Sequence, residues 1–283
     1  MGPDGDRGGR HRNFPVGAVD FARKSWARVG PDLGANVRFF TRLPWPGVGF
    51  SAPDFRRVAW AAPLAGALVG LVGAVALAVA HVARLPAPMV ATLALAATVA
   101  ATGALHEDGL ADVADGFGGG VSRERKLEIL RDSRLGTYGV VALVLSLLLR
   151  AGAIAATVPL GFGYAAAALA LCGALARLGA LAPLALLPPA RAEGAGASTS
   201  GVSPRSLRQA GATSLIVALA LGMGFLGSRA ALLALVVGFA AALLVVALAR
   251  RQIGGQTGDV AGAAAVAAEM GAWMALLIGH APS

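Results

Sequence analysis

Long apolar runs recur along this 283-residue chain, separated by polar segments that carry most of its charge. A helix needs about 20 mainly apolar residues to cross a bilayer core. Seven stretches approach that length, at 58–81, 87–105, 138–158, 164–187, 212–227, 230–249 and 260–279. The fifth is short and the fourth contains Pro183. The expectation is therefore an all-α, polytopic membrane bundle of about seven transmembrane helices, within a range of six to eight. Only 14% of residues are charged, where a soluble domain carries about 25%. The apolar residues are mainly Ala, Leu, Val and Gly, and small residues let membrane helices approach closely. Cys172 is the single cysteine, so no disulfide forms within one chain.

The charge distribution orients these spans. Lys and Arg concentrate in cytoplasmic loops. With the N-terminus cytoplasmic, residues 1–57, 106–137, 188–211 and 250–259 share one face and hold 20 of the 24 basic residues. The other face holds Arg84 and Arg229. A multi-pass protein of the cell membrane follows, with lipid around it and its long polar loops in the cytoplasm. The net charge of +9 resides in loops that flank spans, so no nucleic-acid partner is expected. Residues 1–35 read as a basic, disordered extension without the apolar core of a signal peptide. Residues 36–283 read as one membrane-embedded catalytic domain, and a homo-oligomer is left open. Arg150 and Arg177 fall inside spans, where a charge needs a reason. Arg150 either snorkels to an interface or joins an ion pair or polar cavity beneath the site.

The densest chemistry is the segment His106 to Gly120. Asp108, Asp112 and Asp115 stand at i, i+4 and i+7 and share one face of a helix. Like charges at that spacing repel, and a divalent cation relieves the repulsion. Mg²⁺ prefers oxygen ligands and is usually held by one or two carboxylates plus substrate phosphates. The bland alternative is a solvated acidic loop. Gly116 and Gly118 to Gly120 end the helix and leave room for a phosphate. Residues 123–131 read as a short amphipathic helix with Ser122 as N-cap. Arg131 and Arg134, around Asp132 and Ser133, carry guanidinium groups suited to phosphate, and Gly136 permits close approach. Gly254, Gly255, Gln256 and Thr257 open the last span as glycine-rich backbone of the phosphate-binding kind. Asp259 serves there as helix N-cap or as a further metal ligand. Arg42 contacts either substrate or a lipid headgroup.

Four segments together resemble the cobalamin synthase family, also called adenosylcobinamide-GDP ribazoletransferase. They are Phe-Phe-Thr-Arg-Leu-Pro at 39–44, His-x-Asp-Gly-Leu-Ala-Asp-x-x-Asp-Gly at 106–116, Arg-Asp-Ser-Arg-Leu-Gly-Thr at 131–137 and Gly-Gly-Gln-Thr-Gly-Asp at 254–259. The resemblance spans roughly residues 36–279. It implies that α-ribazole, or its 5′-phosphate, attacks the cobinamide-linked phosphorus of adenosylcobinamide-GDP. GMP leaves and adenosylcobalamin, or its 5′-phosphate, forms. It also implies Mg²⁺ as cofactor. On that basis Asp108, Asp112, Asp115 and Asp259 are candidate metal ligands, with Arg131, Asp132 and Arg134 around the phosphates. His106 is either a general base or a structural histidine. Glu107 departs from the family pattern, which is usually apolar there, and Val266 stands where a glutamate is often found, with Glu269 retained.

Two other functions share some of these features. A CDP-alcohol phosphotransferase also uses clustered aspartates, but its Asp-x₂-Asp-Gly-x₂-Ala-Arg pattern is absent: Asp115-Gly116 leads to Phe117 and three glycines. A transporter needs polar groups through the membrane depth, whereas the polar segments here share one face.

Overall fold

The computed structural model describes residues 29–46, 53–191 and 201–278. Apart from one isolated parallel bridge between Pro189 and Gln256, regular structure among the described residues is helical. Helix α1 covers residues 29–40. After it come α2 (Phe55–Val58), α3 (Ala62–Val82), α4 (Ala87–Thr102), α5 (Leu105–Gly119), α6 (Arg123–Ile129), α7 (Thr137–Thr157) and α8 (Phe162–Leu186). The last three are α9 (Pro204–Leu221), α10 (Ser228–Ile253) and α11 (Gly258–Leu277).

Six helical stretches are each long and apolar enough to cross a membrane: those built on α3, α7, α8, α9, α10 and α11. The chain is therefore a multi-pass membrane protein. Helices α4 and α5 qualify only as a pair, and they are bent by 89° at their junction. Large apolar side chains such as Val75, Val79, Leu145 and Leu244 stand exposed on the outside, the surface a bilayer would cover. Helix α8 occupies the centre, with 89% of its most apolar stretch buried, against 28% for α7 or α10. Glycine makes this packing possible where α3 meets α8. A Cβ at Gly66 or Gly70 would collide with the α8 backbone at Gly173 and Leu169, so the two backbones are in direct contact, as in small-residue membrane interfaces.

Several boundaries differ from the sequence reading. Helix α8 continues through Pro183 and ends at Leu186. The short fifth span is the end of a longer helix, because α9 starts at Pro204 with Ser203 capping it. A Ser N-cap followed by Pro at N1 is a strong start signal, and buried Leu207 and Ala210 give the first turns an apolar face. Residues 204–211 are thus helix, not loop. Helix α10 carries Arg250 and Arg251 in its last turn, where cations complement the helix dipole, so only 254–257 separate it from α11. Of the extension expected to be disordered, residues 1–28 lie outside the described residues. Residues 29–35, read as part of the extension, belong to α1. There, buried Asp32 accepts from Arg57 at 2.7 Å and from the Trp60 indole at 3.1 Å.

Candidate active site

The acidic segment is not a loop. It forms α5, which starts just after a break that turns the chain. Gly103 (φ 64°) and Ala104 (φ 59°) are both left-handed, a conformation that costs a non-glycine residue roughly 1–2 kcal/mol. The Arg42 side chain fills the space a Cβ at Gly103 would need, and the Arg42 backbone N–H donates to Ala101 O at 2.8 Å. Arg42 thus packs on the elbow between α4 and α5. Glu107 and Asp108 lie in the first turn of α5, where negative charge suits the helix dipole.

Glycine again sets the closest approach. A Cβ at Gly109 would come within 2.7 Å of Asp259 O, and one at Gly262 within 3.4 Å of His106 Cα. Helices α5 and α11 therefore meet backbone to backbone at these two residues. The crossing brings Asp108 and Asp259, distant in sequence, to one cavity of about 130 Å³. Phe39, Phe40, His106 and Gly258 also line it, so three of the four motifs converge. His106 is buried and stacks on Phe40 with ring centroids 6.1 Å apart. Its Nε2 has no hydrogen-bond partner among the described residues.

Along the acidic face, Asp108 is exposed, Asp112 half-buried and Asp115 buried. Asp112 feels the charges of Asp108, Asp259 and Asp115, and Arg191 opposes them. Asp115 turns elsewhere: its carboxylate accepts from the backbone N–H of Gly136 at 2.7 Å and of Gly139 at 2.9 Å. It caps α7, whose N-cap residue, Gly136, has no side chain to do so.

Among the described residues, no three His, Cys, Asp or Glu side chains converge enough to hold a metal ion by themselves. The set of four aspartates expected from the sequence is thus not a ready-made cage. The chemistry of the donors nevertheless fits Mg²⁺. Asp108, Asp112 and Asp259 offer crowded carboxylate oxygens, and Mg²⁺ completes its shell with water and substrate phosphate.

The third motif lies at the edge. Arg131, Ser133 and Arg134 are exposed, and none of them lines the cavity. Arg134 donates to Asp132 from its backbone and its side chain, at 3.0 and 2.5 Å. That pairing holds the Asp132 carboxyl down at about 2, so the two charges satisfy one another. The motif reaches α5 instead through Gly136 and Gly139. In the fourth motif, Gly254 is left-handed (φ 68°). Gly255 packs against Pro188 and Ala190, and Gln256 exchanges backbone hydrogen bonds with the same strand-like segment, at 2.8 Å to Pro188 and 2.9 Å from Ala190. Gly255 and Gln256 therefore tie 188–190 to the start of α11. Thr257, not Asp259, is the N-cap of α11, and its hydroxyl bonds Asp259 Oδ2 at 3.1 Å.

Two pairings escaped the sequence. Of the two readings left open for Arg150, snorkelling gives way to the ion pair beside a polar cavity. Arg150 is buried and donates to Glu107 at 2.8 Å and Glu269 at 3.2 Å, beside a second polar cavity that His106, Glu107 and Arg177 also line. Its position inside a span was the available signal, and Glu107, the odd residue in the acidic motif, is its partner. The other pairing involves Arg191, which meets Asp259 at 3.3 Å. It follows two prolines in a polar segment, and nothing in that pattern marks it.

The chain resembles known proteins over most of its length. A family model described as cobalamin-5-phosphate synthase matches residues 32–277. An adenosylcobinamide-GDP ribazoletransferase of Azorhizobium caulinodans is 44% identical over 256 residues, covering 89% of this chain and 97% of its own. The protein of that name from Bradyrhizobium diazoefficiens is 48% identical over 239 residues, covering 82% and 87%. No solved structure matches.

Proposed function

This chain belongs to the cobalamin-5-phosphate synthase family, and we propose that its transfer site is the cavity between α5 and α11. The protein is an enzyme of cobalamin biosynthesis: it joins α-ribazole, or its 5′-phosphate, to adenosylcobinamide-GDP with release of GMP. The CDP-alcohol phosphotransferase and transporter alternatives fall with that assignment.

The observation that carries the site is the meeting of Asp108 and Asp259 across the Gly109–Gly262 crossing. Asp108, Asp112 and Asp259 would hold Mg²⁺ against the pyrophosphate of the donor. A bound Mg²⁺ neutralises charge on the transferring phosphorus and the departing nucleotide. The protein supplies orientation. Asp115 fixes α5 against the start of α7, and the Gly109–Gly262 contact fixes it against α11. Phe39 and Phe40 give the cavity an apolar wall that limits water. His106, buried at the same cavity, would accept a proton from the ribazole hydroxyl. Arg131 and Arg134 stand outside the cavity lining and would meet only the outer part of a large substrate. Following the basic-residue asymmetry, this face is cytoplasmic and the membrane is the cell membrane.

The test uses purified full-length protein in detergent with adenosylcobinamide-GDP, α-ribazole and MgCl₂, and measures GMP release. Release that is lost with EDTA and lost in Asp112→Asn, with the variant still folded, is the expected result. Near-normal turnover in Asp112→Asn would sink the metal-site assignment.

A further inference from the structure

Beyond the aspartates, one cation stands beside the proposed site, bonded to Asp259 of its lining. Arg191 has a side chain only 14% exposed, and its Nη2 lies 3.3 Å from Asp259 Oδ2. That same oxygen also bonds the Thr257 hydroxyl. The Arg191 charge further opposes the negative charge around Asp112. Its backbone is held in place, because the preceding residue, Ala190, donates to Gln256 O, and Gln256 N–H donates to Pro188 O. Arg191 and Asp259 are therefore carried on two segments laced together at Pro189 and Gln256.

The guanidinium is underused. It has five N–H donors arranged to grip a carboxylate or phosphate through two parallel bonds. Here a single bond to Asp259 is made, at the long end of the range, while Arg191 Nε is buried without a partner among the described residues. A group in that state can gain donors' worth of interaction from an incoming anion with two acceptor oxygens. The anion this site must accept is a pyrophosphate ester. Its arrival beside Asp108, Asp112 and Asp259 adds negative charge where negative charge is already crowded, so a cation must be shared out anew.

We propose that Arg191 is a substrate-binding residue, which leaves Asp259 and grips non-bridging oxygens of the donor's nucleoside-diphosphate group. In the free enzyme it compensates Asp259, and in the complex it frees that carboxylate for Mg²⁺. The inference rests on the transfer site lying between α5 and α11, and the test separates the two.

The probe is GMP, the released product, titrated by calorimetry into full-length protein in detergent with MgCl₂. A parallel titration uses Mn²⁺ without nucleotide, read by electron paramagnetic resonance. Wild-type protein that fails to bind GMP would remove the transfer site itself. If it binds, Arg191→Gln is expected to weaken GMP at least tenfold and to raise the KM for adenosylcobinamide-GDP, while the KM for α-ribazole holds. Mn²⁺ without nucleotide should bind as well or better, because a competing cation has gone. GMP affinity within twofold of wild type overturns the proposal. So does a joint loss of GMP and Mn²⁺ binding, which would mean that Arg191 only props Asp259. Should Arg191→Gln not fold, Arg191→Lys decides, since it keeps the charge and loses the fork: severalfold weaker GMP binding with unchanged Mn²⁺ binding supports the proposal, and unchanged GMP binding overturns it.

Discussion

Asp115 shows how much one residue's role depends on its neighbours in space. Helical phase groups it with Asp108 and Asp112, yet its carboxylate is spent on the N–H groups of Gly136 and Gly139. A carboxylate at a helix N-terminus satisfies donors that have no partner inside the helix. Both glycines are required, because a Cβ at either would crowd the Asp115 carboxylate. Asp115→Ala should therefore cost about 1–3 kcal/mol, the range for stranding buried donors bonded to a charged acceptor. The measurement is a lowered Tm in detergent, with Gly139→Ala lowering it in the same sense. An Asp115→Ala protein that melts like wild type would return Asp115 to the set of free carboxylates. Asp112 lacks any such structural bond among the described residues, which is why its substitution is expected to strike turnover rather than folding.

Between elements, the decisive joint is Arg150. One side chain from α7 pairs with Glu107 of α5 and Glu269 of α11, so it fastens together the helices that bring Asp108 and Asp259 to the cavity. The arginine itself is 2% exposed. Breaking a buried ion pair by removing one partner typically costs about 3–5 kcal/mol, because the other charge stays behind uncompensated. Arg150→Met should lower the Tm by an amount consistent with that cost. Adding Glu107→Gln should restore much of the Tm, since the remaining Glu269 then faces the charge of buried Arg177 in the same cavity. A single variant as stable as wild type, or a double variant no better than the single, would contradict the clamp.

For the whole molecule, orientation is the open quantity that a simple experiment reads. Cys172 is buried and is the single cysteine, so the native chain offers no accessible thiol. Glu124 and Arg84 are both exposed and fall on opposite faces of the expected topology. On intact cells, a membrane-impermeant maleimide should label Arg84→Cys and leave Glu124→Cys unlabelled until the membrane is opened. The reverse pattern would invert the orientation and place the aspartates outside.

The sequence by itself determined the membrane-spanning class, the approximate span count and the four segments that carry the chemistry. Those are local properties: hydropathy over about 20 residues, charge at helix spacing, glycine and proline at turns. Their limits were local too, since Ser203-Pro204 started a helix earlier than apolar length alone suggested. Only the tertiary structure decided which carboxylates face the cavity and which serve the scaffold. Asp115 became a cap, Glu107 and Arg150 a clamp, and Arg191 a cation beside the site. Each of these depends on a partner 21 to 119 residues away. The choice of Thr257 over Asp259 as helix cap is local, its hydroxyl accepting from the Val260 N–H. Side-chain charge has no sign of its destination in one dimension, because its energy is set by the groups it meets after the helices have packed.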